Sequence, residues 1–224
     1  MLEHTTYVHP ELLVEAHWLQ EYMGNPDIRI IDTASLDAYE RAHIPGAISL
    51  SVDNYLKDPL DSTYVMNPEQ FSSLMTKLGI HEDSHVIAYD HRGGLYATRF
   101  WWVMSYYGHN NVAVLNGGWN KWINANLPIT REIPTVAMGT FRPDIHPDLN
   151  CSLDYLSSAI HNPETVVLDV RSYKEYTGEG KRNNLRGGHI PGAVHVEWTQ
   201  NISVDDTFKS AHELMDMYSL AGVT

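Results

Sequence analysis

The chain has 224 residues, 43% of them hydrophobic, and a formal charge of -13 from 15 Lys plus Arg against 28 Asp plus Glu. This suits one large or two small domains with buried cores; the acidity argues against nucleic acid and anionic membranes as partners, while a small anionic substrate stays open wherever a few donors converge. No apolar run approaches the roughly 18 residues of a membrane span and the amino terminus has no signal-peptide pattern, so the expected compartment is cytoplasmic. Cys151 is the only cysteine, which rules out an intramolecular disulfide framework and any multi-cysteine zinc or iron–sulfur centre. The 13 histidines are scattered without HExxH or paired i, i+4 spacing, so neither a metal site nor a cofactor is expected.

Leu12, Leu13, Ala16, Leu19 and Met23 recur at helical spacing and predict a helix over 11–23, closed by Gly24-Asn25-Pro26. A strand at 28–32 follows, Ser35 is placed to cap a short helix through Arg41, and Pro45-Gly46 turns the chain into a brief strand at 47–50. Asn67 as cap, Pro68 at the first helical position and Gly79 as stop bracket a helix buried on Leu74, Met75 and Leu78. His85 to Tyr89 reads as a strand, and the loop Asp90-His91-Arg92-Gly93-Gly94 leads into a helix from Leu95 to Tyr107. A strand at 111–115, a Gly117-Gly118 turn and a helix at 119–126 complete an alternation of strands and helices over about 120 residues, the pattern of a parallel α/β domain. The Pro-rich stretch 129–150 reads as a linker, which sets the divisions 1–128, 129–150 and 151–224.

The second division repeats the first. His43-Ile44-Pro45-Gly46-Ala47 returns 146 residues later as His189-Ile190-Pro191-Gly192-Ala193, each downstream of a strand ending near aspartate, Asp32 or Asp169, and of a helical stretch carrying Tyr39 or Tyr176. A repeat of that length means two whole domains. Ser152 caps a helix through His161, strands are expected at 165–170 and 193–197, and a helix around 211–220. An insertion at 177–188 lengthens the loop and carries Lys181, Arg182 and Arg186.

Duplicated Asp…Tyr…HIPGA, together with Val86-Ile87-Ala88-Tyr89-Asp90-His91-Arg92-Gly93-Gly94-Leu95-Tyr96-Ala97-Thr98-Arg99 and Val114-Leu115-Asn116-Gly117-Gly118-Trp119, resembles the two-domain rhodaneses, the thiosulfate and 3-mercaptopyruvate sulfurtransferases. The resemblance implies an α/β fold of tandem rhodanese-like domains, each a parallel sheet flanked by helices. It further implies a nucleophilic cysteine on a loop of the carboxyl-terminal domain, where inward-pointing backbone N–H groups lower a thiol pKa and hold the resulting anion. That thiolate would take sulfane sulfur from a small anionic donor as a persulfide and pass it to a thiophilic acceptor. In the amino-terminal copy the nucleophile position is the degenerate Asp90, and the reading that fits its chemistry is a cap for the helix beginning at Leu95.

By the same register Gly222 matches Gly79, so the nucleophile is expected about nine residues after Thr224, with no catalytic residue within the chain itself. The second domain is accordingly expected to be incomplete, the chain alone to be inactive, and a complementing segment or swapped partner to fill the sheet. Cys151, without a Gly-rich loop or adjacent base, reads as a bystander thiol. Asp169 is implied as a support for the cysteine loop. Glu175 stands where many animal members carry a substrate-binding arginine, and Arg186, with Lys181 and Arg182, either replaces that charge or is solvated. Tyr96 is the substrate-facing candidate of the first domain, and Arg99 either accompanies it or is structural. A rival reading is a catalytically silent rhodanese-homology protein that binds a partner or small anion; a Cys-x5-Arg phosphatase is the weaker third.

Overall fold

The computed structural model describes residues 6–52, 56–61, 64–182 and 184–223. They fall into two compact units, the first comprising 9–149 with 205–207, the second 150–204 and 208–224 with the residues before 9. The fold is α/β, with parallel sheets flanked by helices in a tandem arrangement.

The first unit is built on five parallel strands, β1 (Leu13–Val14), β2 (Ile28–Asp32), β3 (Ile48–Ser49), β4 (His85–Tyr89) and β5 (Val112–Leu115), in the order β1-β5-β4-β2-β3. Between them run α1 (Ala16–Tyr22), α2 (Leu36–Arg41), α3 (Pro68–Lys77) and α4 (Leu95–Tyr106), and α5 (Gly118–Asn124) follows β5. The central strands are near-continuous apolar runs because both of their faces are covered. Ile28, Ile30, Ile87, Tyr89, Ala113 and Leu115 pack with Leu19 of α1, Tyr39 of α2 and Trp122 of α5 in one buried cluster. The alternate residues Val86, Ala88, Val112 and Val114 project to the opposite face by the two-residue period of a strand, where Phe71 and Met75 of α3 and Phe100 and Val103 of α4 are also fully buried.

Several expectations shift. The helix anticipated over 11–23 starts only at Ala16, because Leu13 and Val14 are drawn into the sheet edge: they register with Val114 and Leu115, and Asn116 N–H donates to the Val14 carbonyl at 2.9 Å. The apolar period of 12–23 is real, but its first residues serve an edge strand, a tertiary demand that helical spacing does not report. Asn67 does cap α3, its side chain accepting from Gln70 N–H at 3.0 Å. The buried residues of that helix are Phe71 and Met75, whereas Leu74 is half-buried.

The stretch 129–150, read as a linker, is a strap laid along the first unit through residue 149. Thr130 bridges His43 through paired 2.9 Å hydrogen bonds, Gly139 N–H donates to Thr76 O at 2.8 Å, and the Asp144 and His146 N–H groups donate to Tyr107 and Tyr106 carbonyls. Phe141 is buried edge-on against Phe71, 5.4 Å between ring centroids. A Cβ at position 139 would lie 2.1 Å from the Ile80 carbonyl oxygen, so only glycine lets the strap approach that closely. Pro and Gly suppress regular periodicity here while the backbone still finds partners one by one.

In the second unit β6 (Leu168–Asp169) pairs in parallel with β7 (Val194–His195), with α6 (Leu153–Ala159), α7 (Tyr173–Thr177) and α8 (Ala211–Leu220) around them. The strands expected at 165–170 and 193–197 are thus each two residues long. Ser152 caps α6 by accepting from Tyr155 N–H at 3.1 Å, and Ser210 with Glu213 forms a reciprocal capping box on α8.

Candidate active site

The duplicated turn is locked by its own side chains. Tyr39 stacks on His43 and Tyr176 on His189, each pair with ring centroids 3.8 Å apart and planes within 9° and 13° of parallel. The histidine Nδ1–H donates to the carbonyl of its stacked tyrosine at 2.8 Å in both copies. The tyrosine hydroxyls donate to Ala47 O at 2.8 Å and Ala193 O at 3.1 Å. Gly46 and Gly192 share φ 80°. Burial pushes the Tyr39 phenol up to about 12. His43 is fully buried, its Nε2 3.1 Å from the Glu132 carbonyl of the strap, while His189 is exposed. HIPGA is therefore a bracing device that fixes the chain leaving β2 and β6.

Asp90, the residue after β4, is 1% exposed. Its Oδ1 accepts from Arg92 N–H at 2.7 Å and Gly94 N–H at 3.0 Å, and its Oδ2 from Tyr96 N–H at 2.7 Å and Ala97 N–H at 2.9 Å. Four N–H groups of a Gly-rich loop and of the first turn of α4 thus converge on one negative group, where the partial positive charge of a helix amino terminus adds to them. The loop is held from behind as well: Trp119 N–H donates to Asp90 O at 2.8 Å, and a Cβ on Gly118 would lie 2.3 Å from that oxygen. Tyr96 is at the mouth, where Arg92 Nη1–H donates to its hydroxyl at 3.2 Å and the guanidinium lies 5.8 Å from its ring centroid. Arg99, one turn further along α4, is half-buried, and its Nε has no hydrogen-bond partner among the described residues.

In the second unit Asp169 and Arg171 form a fork. Arg171 Nε donates to both carboxylate oxygens at 2.9 and 3.2 Å, Nη2 donates to Oδ2 at 2.5 Å, and the Arg171 backbone N–H adds a fourth bond at 3.1 Å. Those bonds hold the Asp169 carboxyl below its ordinary range, and Arg171 Nη2 also reaches Gly188 O at 2.8 Å, tying the inserted loop to the strand end. Glu175 is buried and fully engaged: its Oε2 accepts from Ser172 O–H at 2.7 Å and N–H at 3.3 Å, and its Oε1 pairs with Arg182 Nε at 2.9 Å. The Ser172 hydroxyl first, and Arg182 after it, keep that carboxyl low.

All three basic residues on the insertion, Lys181, Arg182 and Arg186, are exposed, and Arg182 pairs with Glu175. Cys151 is exposed, its Sγ near only the Ser152 carbonyl at 3.5 Å. Asp169 and Glu175 are brought together around Arg171, a residue whose part the sequence reading passed over although Asp-x-Arg at a strand end and Ser-x-x-Glu at a helix start were both legible. Among the described residues no group of three or more His, Cys, Asp or Glu is arranged to hold a metal ion, and no helix is long and apolar enough to cross a membrane.

Two copies of a parallel α/β unit, each closed by the same Tyr–His turn, define a tandem-repeat α/β protein whose strand-end loops present backbone N–H groups to an anion. The rhodanese-like domain profile matches residues 15–125 and 152–219. The chain is 34% identical to the sulfur carrier protein TtuD of Thermus thermophilus, over 97% of this chain and 80% of that one, and 31% identical to the thiosulfate sulfurtransferase of Azotobacter vinelandii, over 95% and 79%. Among solved structures it superposes on the 3-mercaptopyruvate sulfurtransferase SseA of Escherichia coli with TM-score 0.86 and 29% identity, covering 95% of this chain and 84% of that one. The anaerobic ergothioneine biosynthesis enzyme of Chlorobium limicola shares the fold, with TM-score 0.84 at 24% identity. The chain belongs to the rhodanese family, and its relatives include proteins named as thiosulfate and 3-mercaptopyruvate sulfurtransferases.

Proposed function

We propose that the chain is the larger part of a sulfurtransferase that moves sulfane sulfur from thiosulfate or 3-mercaptopyruvate to cyanide or another thiophile, through a persulfide on a cysteine following Thr224. A thiolate attacks the outer sulfur of the donor; with thiosulfate the S–S bond breaks, sulfite leaves with the electron pair, and the persulfide forms. An acceptor such as cyanide then attacks the terminal sulfur, leaving as thiocyanate and restoring the thiolate. The observation that supports this reading is the four-N–H cradle around Asp90. In a copy with cysteine at that place, the same cradle would stabilise first the thiolate and then the persulfide anion. A carboxylate there takes up no sulfur, so the first unit is a structural partner, and Cys151 has no such cradle.

The test is thiocyanate formation from thiosulfate and cyanide. The purified 224-residue chain is expected to form none, and the gene product continued past Thr224 is expected to be active until its loop cysteine is changed to serine. Turnover by the 224-residue chain that survives Cys151→Ser would overturn the reading. Absence of a cysteine in the continued product would favour the silent anion- or partner-binding alternative, which the occupied cradle at Asp90 already exemplifies within one unit.

A further inference from the structure

Because the same turn occurs twice, the second copy is an internal reference for the first. Beside Asp169 the Arg171 guanidinium fills the space at the strand end and neutralises the carboxylate. Aligning the copies on Asp32 and Asp169 puts Ala34 where Arg171 stands. Asp32 nevertheless stays 3% exposed. Its Oδ1 accepts from Ala34 N–H at 2.9 Å, the Tyr89 hydroxyl donates to the carboxylate, the His91 and His43 rings lie near enough to act on its charge, and it forms no ion pair among the described residues. Burial pushes its carboxyl above the ordinary range, opposite in direction to Asp169.

A cavity of about 350 Å³ opens at this place, lined by Asp32, Ala38, Arg41, Tyr89, His91 and Trp119. Its volume is within the range of small-ligand sites. It lies at the carboxyl ends of β2 and β4, adjacent strands whose onward connections run to opposite sides of the sheet, β2 to β3 and β4 to β5. Open α/β sheets bind ligands at that switch point. A buried carboxylate held by two hydrogen bonds with only imidazole rings nearby keeps part of its desolvation cost, and an external cation relieves it.

We propose that this cavity binds a small amino acid with a cationic side chain, its guanidinium taking beside Asp32 the place that Arg171 takes beside Asp169, and its α-carboxylate meeting Arg41. The Trp119 and Tyr89 rings supply the apolar surface for the ligand's stem. The site adjoins the loop of the Asp90 cradle through His91 and Trp119 but does not use its converging N–H groups, requires no nucleophile, and stands whether or not the protein transfers sulfur.

Isothermal titration calorimetry of the 224-residue chain with L-arginine tests it, with L-citrulline, whose side chain is uncharged, as the isosteric control. L-Arginine is expected to bind with a Kd of about 1 mM or tighter, and L-citrulline about tenfold more weakly or not at all. Ala34→Arg supplies the guanidinium from the chain itself, so it is expected to abolish binding and to raise the Tm of the unliganded protein. Asp32→Asn is expected to abolish binding with the cavity left open; should that variant not fold, Ala34→Arg, which adds a partner and removes none, decides. No heat from L-arginine up to about 10 mM, equal binding of L-citrulline, or unchanged binding by Ala34→Arg would overturn the proposal. Unchanged or tighter binding by Arg41→Ala would overturn the placement of the carboxylate end.

Discussion

Asp90→Ala removes the acceptor of four backbone hydrogen bonds at once. A hydrogen bond to a charged group contributes about 1.5–3 kcal/mol, and such bonds are not additive when they share one acceptor. Arg92 is exposed and Gly94 and Tyr96 are half-buried, whereas Ala97 is buried, so water recovers part of the loss at the first three. Losing a helix cap alone costs about 0.5–2 kcal/mol. Together these place the loss at about 3–5 kcal/mol, in the range of a broken buried network. Asp90→Asn keeps the shape and one carbonyl acceptor, yet whichever way the amide turns, two of the four N–H donors face an NH2 group; about 2 kcal/mol is expected. Urea unfolding followed by tryptophan fluorescence reads this directly, since Trp18, Trp101, Trp102, Trp119 and Trp122 lie in the first unit and only Trp198 in the second. An Asp90→Ala midpoint corresponding to less than about 1 kcal/mol, or an asparagine variant as stable as the parent, would refute the cradle as a stabilising anion site.

Asp90→Cys in a Cys151→Ser background places a thiol in the same cradle, and its alkylation by iodoacetamide is expected to persist at pH values below the usual thiol pKa of about 8.5, with the advantage lost in urea; ordinary thiol reactivity in the folded protein would count against it. His43→Ala, which removes a fully buried ring, its stack and its Tyr39 bond, is expected to cost about 2–4 kcal/mol, while His189→Ala at the exposed copy costs about 1 kcal/mol; equal urea midpoints shifts would refute the asymmetry. Asp169 and Glu175 have lowered folded pKa values, so their contribution is present above the unfolded carboxylate pKa near about 4 and is lost as pH falls through the folded values. Asp32 runs the other way: with a raised pKa its contribution is full below the unfolded value of about 4 and is lost as pH rises through the folded one. Carboxyl-carbon NMR titration is expected to give Asp32 a higher midpoint than Asp169, and the reverse order would contradict both assignments.

The repeat, the alternation of strands and helices and the loop after β4 were legible because each rests on local chemistry: Pro68 and Asn67 mark a helix start, and a Gly-rich pair after an apolar strand marks a turn. What escaped depends on distant partners. Leu13 and Val14 become a strand because β5 has an open edge, and nothing within 11–23 announces it. The strap shows no period because its contacts with His43, Thr76 and Tyr107 are made singly across the unit. At the site, Asp90 as a cap for the helix beginning at Leu95 was legible, but its four-fold engagement was not, and the capture of Arg182 by Glu175 required the insertion to fold back over seven residues, a geometry that a charge count leaves between ligand binding and solvation.

The strap also imposes an order on synthesis. The first unit is closed by Thr130 against His43, Phe141 against Phe71 and His146 against Tyr106, so a nascent chain that has emerged only as far as α5 still lacks one wall of its core. At roughly 5–20 residues per second, translating 128–149 occupies about 1–4 s. During that interval Phe71 lacks the ring of Phe141 and the Tyr107 carbonyl lacks the N–H of Asp144. Closure of the first repeat thus waits on residues that follow its last helix, α5.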